Sequence, residues 1–396
     1  MIFAFNYYLF MENNFKMVAK TLFGFEDLLE NELKRLGAQS IKKGVRNVAF
    51  EGDKGFMYKA NLGLRTAIKI LKPINTFRVS NEKDLYDKVY KIKWDNYVNA
   101  TGSIAVDATV HSNLFKHSQY IALKTKDAIV DQFRAKTGKR PNVDLRFPDL
   151  KINVHIDRTL CTISLDTSGE SLHRRGYKLA TNIAPINEVL AAGLLLLSGW
   201  DGQCDFMDPM CGSGTMLAEA AMIACNIPPN FMRKEFAFER WKDWDVDLFE
   251  MIEESLLKKT RDFNYHIYGF DKSPSAVNKA KQNMKHAHLD EFVTIKHEDF
   301  FKTQKPDVEK LHMVFNPPYG ERLDIQMQSF YSAIGDTLKQ NYPGTDCWFI
   351  TSNLEALKHV GLRPSRKIKL FNAKLESRLV KYELYEGSKK AKHQSN

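Results

Sequence analysis

Asn316-Pro317-Pro318-Tyr319 sets an amide, two rigid prolines and an aromatic ring in consecutive positions. The Asn316 amide oxygen and the Pro317 carbonyl are two hydrogen-bond acceptors, and Tyr319 is a flat surface beside them. That set suits a planar group with an exocyclic amine: the acceptors take its two N–H bonds and the ring stacks on its face. The preceding stretch, Leu311–Phe315, reads as a buried strand. Neither proline carries a backbone N–H, so the ladder must stop there. The residue before each proline is pushed to extended geometry. Asn316 is thereby held at the C-terminal end of a strand, where open α/β sheets bind ligands. The alternative is a loop that ends a strand and does nothing more, since short motifs recur by chance.

A second constellation precedes it. Asp208-Pro209-Met210-Cys211-Gly212-Ser213-Gly214-Thr215 lies between a predicted strand, Gln203–Met207, and a predicted helix, Met216–Cys225. Glycines at such a junction let a ligand touch backbone, and the helix end favours an anionic group such as a carboxylate. No G-K-[ST] follows, so this is not a P-loop. The next predicted strand, Tyr265–Phe270, ends at Asp271, an acid placed to take the two hydroxyls of a ribose. The two acids stand 63 residues apart, against ~20 in a simple dinucleotide unit. The excess, 227–259, holds Trp241 and Trp244 and reads as an inserted helical segment covering the site. After a third strand, Phe292–Lys296, the carboxylate of Glu298 or Asp299 is placed to accept a bond from an adenine amino group.

A third cluster is basic. His173, Arg174, Arg175 and Lys178 surround Tyr177 in Ser171-Leu172-His173-Arg174-Arg175-Gly176-Tyr177-Lys178. Cations beside a tyrosine suit phosphate contact with base stacking. A solvated basic linker is the other reading.

The elements that must position these groups alternate. From Pro185 onward strand and helix succeed one another, the pattern of a parallel sheet. Helices are expected over Ile186–Leu197, Ser273–Ala287 and Ile325–Lys339, and further strands over Cys347–Thr351, Lys367–Phe371 and Leu379–Tyr385. The first half reads as two small α/β units. In 18–75, Phe25–Leu36 has leucines at helical spacing and Gly37 stops it. From about Ser80, Ser103–Val110 alternates as a strand, Tyr120–Thr137 is a long helix, and Leu150–Ile156 with Leu160–Leu165 form a hairpin.

At 396 residues the chain exceeds one typical domain. A net charge of +10 and a pI near 9.1 favour a polyanionic partner, nucleic acid first. Five cysteines without a C-x-x-C pair point to reduced thiols in a cytoplasm and away from a zinc site. The apolar start, Met1–Phe10, is too short to span a bilayer and lacks the flanks of a signal peptide. No other stretch approaches a membrane span, so a soluble protein is expected. The polar, basic tail 387–396 is expected to be disordered.

The order Asp208–Thr215, Asp271, Asp299 and Asn316–Tyr319 on successive strands resembles a class I S-adenosylmethionine-dependent methyltransferase of the amino-methylating kind. With two α/β units ahead of it, F-N-P-P-Y-G-E-R-L at 315–323 and L-E-S-R-L-V-K-Y-E-L at 375–384, the whole resembles the THUMP-domain RNA guanine-N2 methyltransferases, in particular the bacterial enzymes acting on large-subunit ribosomal RNA. The apolar extension 1–17 departs from the family's pattern and leaves the true start open; the resemblance implies a ferredoxin-like unit over 18–75, a THUMP RNA-binding domain over 76–170, the basic linker 171–184, and a seven-stranded Rossmann-like methyltransferase domain over 185–386. It implies S-adenosyl-L-methionine as cofactor, held by Asp208, Pro209, Cys211, Gly212, Gly214, Thr215, Asp271, Asp299 and Asn316. Asn316, Pro317, Pro318 and Tyr319 would be catalytic, no metal would be needed, and the partner would be RNA, 23S rRNA first. Amino-methylation of transfer RNA or DNA, methylation of a protein glutamine, and a non-catalytic RNA-binding assembly factor are the competing readings. The basic first half favours RNA, and the intact acid, glycine and asparagine set argues against a non-catalytic factor.

Overall fold

The computed structural model describes residues 14–181, 185–318, 324–372 and 374–385. Tyr319, most of the N-terminal extension and the basic tail lie outside them. The chain divides into two compact units. One takes the chain up to Thr21, then Leu29–Arg174 and Arg233–Ser255; the other takes Leu22–Leu28, Arg175–Met232 and the chain from Leu256 on.

The first unit is built on a single eight-stranded sheet. Its strands are β1 (Phe15–Thr21), β2 (Gln39–Lys43), β3 (Asn47–Gly52), β4 (Ala67–Arg78), β5 (Ser103–His111), β6 (Asn142–Val143), β7 (Leu150–Asp157) and β8 (Leu160–Asp166), in the order β2-β3-β1-β4-β8-β7-β5-β6. Its helices are α1 (Glu26–Leu36), α2 (Lys54–Gly63), α3 (Glu82–Tyr90) and α4 (Ser118–Thr137). The two predicted α/β units therefore share one sheet, joined where β4 pairs antiparallel with β8. The expected boundary at residue 75 falls inside β4. The register slips between Pro73 and Asn75, where proline has no N–H to give the ladder. The strand continues past a residue that reads as a stop. β1 likewise begins inside the expected extension: Met17 pairs with Phe50 and is fully buried.

The second unit has a seven-stranded sheet in the order β11-β10-β9-β12-β13-β15-β14. The strands are β9 (Asp205–Asp208), β10 (Ile267–Asp271), β11 (Val293–His297), β12 (Leu311–Phe315), β13 (Thr345–Thr351), β14 (Arg366–Asn372) and β15 (Leu375–Glu383). The first five pair in parallel and β15 runs antiparallel to both its neighbours. The helices are α5 (Glu188–Ser198), α6 (Thr215–Ala224), α7 (Val246–Leu257, crossing the division between units), α8 (Pro274–His286) and α9 (Asp324–Asn341). β12 is buried along its whole length, as a central parallel strand must be. His312 in it hydrogen-bonds Ser198 Oγ at 2.8 Å, and burial pushes its pKa down to about 4. It is a neutral core histidine. The chain goes from β9 outward to β10 and β11, then returns to β12 on the other side of β9. That reversal opens a crevice beyond the strand ends.

The segment expected to cover the site belongs instead to the first unit. Phe238, Trp244 and Phe249 gather round Tyr58 of α2, with ring centroids 4.7, 5.3 and 5.8 Å away. The Asp245 N–H donates to the Tyr58 hydroxyl at 3.3 Å. Of the two tryptophans that suggested a cover for a ligand, Trp241 is buried and Trp244 is half-buried against Tyr58.

No helix among the described residues is long and apolar enough to cross a membrane.

Candidate functional site

Buried apolar residues, Phe206 and Met207, carry β9 to Asp208 at its C-terminal end. The chain then turns sharply. The Cys211 N–H donates to the Phe270 carbonyl at 2.8 Å, and the Gly214 N–H to the Cys211 carbonyl at 2.8 Å. Gly212 and Gly214 have φ of +55° and +84°, the left-handed region in which a side chain is strained. Gly214 also caps α6, and a Cβ there would stand 3.2 Å from Ala280 and Met284. Asp271, at the end of β10, braces this turn. Its Oδ2 accepts the Gly212 N–H at 2.9 Å and its Oδ1 the Ser273 N–H at 2.8 Å. Each carboxylate oxygen retains a lone pair for a further donor.

Asp208 is buried, and that burial pushes its carboxyl up to about 8; the N–H of Met210, 3.1 Å from Oδ1, opposes the shift and the Asp271 charge adds to it. Burial also raises the Cys211 thiol well above its ordinary range, with Asp208 and Asp271 adding to the effect. It is a neutral wall residue and not a thiolate nucleophile.

These strand ends line one cavity of about 330 Å³, inside the range of small-molecule sites. Of the residues singled out in the sequence, Asp208, Pro209, Cys211, Gly212, Thr215, Asp271, Asp299, Asn316 and Pro318 are in its wall. Gly214 shapes the turn but does not line the cavity, and neither does the buried Pro317. Asp299 follows β11, and its Oδ1 accepts the Phe301 N–H at 3.2 Å.

The sequence reading missed the apolar part of the wall: Pro185, Ile186, Met210, Phe300, Phe301 and Phe330. Phe301 and Phe330 meet edge to face at 5.3 Å. The Phe300-Phe301 pair directly after Asp299 was the available signal, since an aromatic pair after a strand-end acid can flank a flat ring.

Asn316 emerges from β12 into the same cavity. Its Oδ1 is buried and has no hydrogen-bond partner among the described residues. A buried acceptor left unpaired costs about 1–3 kcal/mol, so this oxygen is suited to take a donor from a group bound in the cavity. Tyr319, the expected stacking ring, lies outside the described residues.

The basic segment is corrected by the structure. Arg175 is fully buried: its Nε donates to Glu219 at 3.2 Å and its Nη1 to Asn230 at 3.1 Å. Tyr177 is 1% exposed, with its hydroxyl 3.5 Å from Glu219. Lys178 pairs with Glu188 at 2.8 Å, both largely buried. These three side chains are spent inside the second unit and offer nothing to a phosphate or a base. Arg174 is exposed, paired with Glu170 at 3.1 Å. His173 is half-buried with Nδ1 2.8 Å from Ser171 Oγ. The backbone of this stretch is held by Arg233, whose guanidinium donates to the carbonyls of Ser168, Glu170, Ser171 and Arg174.

Comparison with known proteins agrees with this layout. Residues 16–71 match the family model of the RlmL ferredoxin-like domain, 79–166 that of the THUMP domain, and 175–381 that of the RMKL-like methyltransferase domain. A Synechocystis protein provisionally named an RNA methyltransferase is 36% identical, over 91% of this chain and 95% of that one. The ribosomal RNA large subunit methyltransferase K/L of Cellvibrio japonicus is 37% identical over 91% of this chain. The present chain spans about half of the length of the K/L proteins it matches. Among solved structures, a provisionally described methyltransferase in complex with SAH superposes with a TM-score of 0.83 at 28% identity, over 95% of this chain and all of that one.

Proposed function

The chain belongs to the RMKL-like methyltransferase family that carries a THUMP domain and an RlmL ferredoxin-like domain, and from that premise we propose that it methylates the exocyclic N2 amine of a guanine in RNA, with large-subunit ribosomal RNA as the substrate. The cofactor is S-adenosylmethionine. The cavity's residues fit it: Asp208 and the Gly212 turn for the methionyl end, Asp271 for the ribose hydroxyls, and Asp299 with the Phe300-Phe301 pair for the adenine. When bound, it supplies a methyl group already activated on a sulfonium.

The observation that carries the reading is the buried Oδ1 of Asn316 in the wall of that cavity, without a hydrogen-bond partner among the described residues. A guanine N2 amine is a weak nucleophile because its lone pair delocalises into the ring. Asn316 Oδ1, in the cavity wall, accepts one of its hydrogens, turns the lone pair out of conjugation and stabilises the positive charge that develops on nitrogen; the Pro317 carbonyl, the second acceptor expected from the sequence, is not in that wall. Holding the amine in line is the other large contribution, on the order of 7–11 kcal/mol for well-oriented reactants. The base must first leave its own stack, at a cost of a few kcal/mol. The THUMP domain and the positive charge of the chain supply RNA affinity to offset that cost.

The test is methyl transfer from labelled cofactor to ribosomal RNA of a strain lacking the enzyme, followed by nucleoside digestion. The expected product is N2-methylguanosine. Label in an adenine or cytosine amine, in DNA, or only in transfer RNA overturns the substrate assignment.

A further inference from the structure

One buried polar side chain touches the cofactor turn without belonging to the site just described. Asn283, on α8, is completely buried. Its amide is saturated. Oδ1 accepts the N–H groups of Leu179 and Ala180 at 2.9 and 3.1 Å. Nδ2 donates to the carbonyls of Ala180 at 2.8 Å and Ser213 at 2.9 Å. Ser213 lies in the turn that forms the cavity wall, between the two left-handed glycines. One side chain thus joins the turn to the segment that enters this unit through the buried Arg175 and Tyr177.

We propose that Asn283 is a positioning residue for cofactor binding: its Nδ2–H holds the Ser213 carbonyl and so fixes the glycine turn in the conformation that receives the cofactor. The inference rests on the reading of the cavity as an S-adenosylmethionine site. The turn needs such a brace. Gly212 and Gly214 remove side-chain constraints on both sides of Ser213, so the peptide between them is the freest of the wall. Asp271 fixes Gly212 through its N–H. Among the described residues, Asn283 is the side chain that holds the Ser213 carbonyl. An amide also suits this position chemically, because it accepts two bonds and donates two, where a carboxylate donates none and a hydroxyl only one. α8 holds the entering segment a second time, through His286 Nδ1, 2.9 Å from the Tyr177 carbonyl. That contact does not involve the turn and serves as an internal control.

The experiment is calorimetry with S-adenosylhomocysteine on the full chain, for wild type, Asn283→Asp and His286→Ala, beside thermal melts and steady-state kinetics. Asn283→Asp keeps an acceptor for Leu179 and Ala180 and loses the donor to the Ser213 carbonyl together with that to the Ala180 carbonyl. Its Kd is expected to rise about tenfold, with kcat at saturating cofactor within about twofold of wild type. His286→Ala should keep Kd within about twofold. A wild-type Kd in folded Asn283→Asp, or an equal loss in His286→Ala, overturns the proposal by making Asn283 a structural clamp only. If Asn283→Asp does not fold, Asn283→Ser is read by the same Kd and kcat, and an unchanged Kd overturns the proposal there too. Failure of wild type itself to bind S-adenosylhomocysteine would instead remove the reading of the cavity.

Discussion

The glycine turn with its strand-end acids and the basic segment 171–178 were both read from a few residues, and the structure treats them differently. The turn's residues come together in one cavity wall. The basic segment's cations scatter: Arg174 faces solvent while its neighbour Arg175 is fully buried against Glu219. The difference lies in what each inference used. Strand-end positions are fixed by topology, because a buried parallel strand can deliver its last residues only to the crevice beyond the sheet. Charge fixes nothing of the kind. An arginine is equally charged on a surface and in a buried ion pair, and only a partner elsewhere in the chain decides between them. Glu219 lies mid-helix, among alanines and methionines, and no local pattern links it to Arg175.

The sharpest way to break this comparison is Arg175→Ala. Removing one member of a buried ion pair leaves the other charge uncompensated and costs about 3–5 kcal/mol. Urea unfolding should show a loss of that order. RNA affinity, measured on protein that remains folded, should keep its salt dependence. A stable Arg175→Ala variant with a weaker salt slope would return this arginine to the RNA.

Asn316→Ala tests the other side. On the proposed reading the amide acts on charge that develops in the transition state, so kcat should fall while cofactor affinity holds. Loss of one comparable preorganised group costs roughly 100- to 1,000-fold. Asn316→Asp should retain part of the activity if accepting hydrogen bonds is all that matters. Wild-type turnover by Asn316→Ala would make its unpaired oxygen a packing accident.

Asp208 sharpens the comparison through pH. Its carboxyl is raised from 3.8 to about 8 by burial, so the protonated form is the one the fold favours. The stability this contributes is complete below about pH 4 and is lost as pH rises through about 8. On the proposed reading Asp208 receives the cofactor's ammonium, which would favour the carboxylate and reverse the preference. Cofactor affinity should therefore climb with pH, by up to about tenfold per unit, and level off above about pH 8. Binding near neutral pH should release a proton, visible as heats that depend on the buffer. Asp208→Asn should flatten the profile.

How much was legible follows the same division. The order of strands and helices in the second half was readable because buried parallel strands are continuous apolar runs. In the first half β2 was missed: Gln39–Lys43 is polar and lies at the sheet's edge, so it carries no hydrophobic period. The joining of two expected domains into one sheet was hidden by Pro73, a residue that punctuates sequence and here only shifts a register. Trp244 resembled part of a cover because its partner, Tyr58, precedes it by 186 residues. Asn283 was passed over as one polar residue among the lysines of a helix.

The smallest effect belongs to Arg174, and it decides whether any of the basic segment reaches RNA. Its pair with Glu170 is exposed on both sides, 65% and 57%, and such pairs contribute at most about 1 kcal/mol. Its carbonyl, and hence the path of the backbone, is held by Arg233 whatever side chain stands at 174. Arg174→Ala should therefore leave stability within about 0.5 kcal/mol. If the guanidinium meets a phosphate, RNA binding should weaken and the slope of log affinity against log salt should fall by about 0.9 on duplex or 0.7 on a single strand. Arg174 differs from Arg175 in exposure and in little else, so the two alanine variants form a matched pair. One should move stability and leave the salt slope, and the other should do the reverse. An unchanged slope in Arg174→Ala would place the RNA contacts wholly on other surfaces and make 171–178 a structural joint throughout.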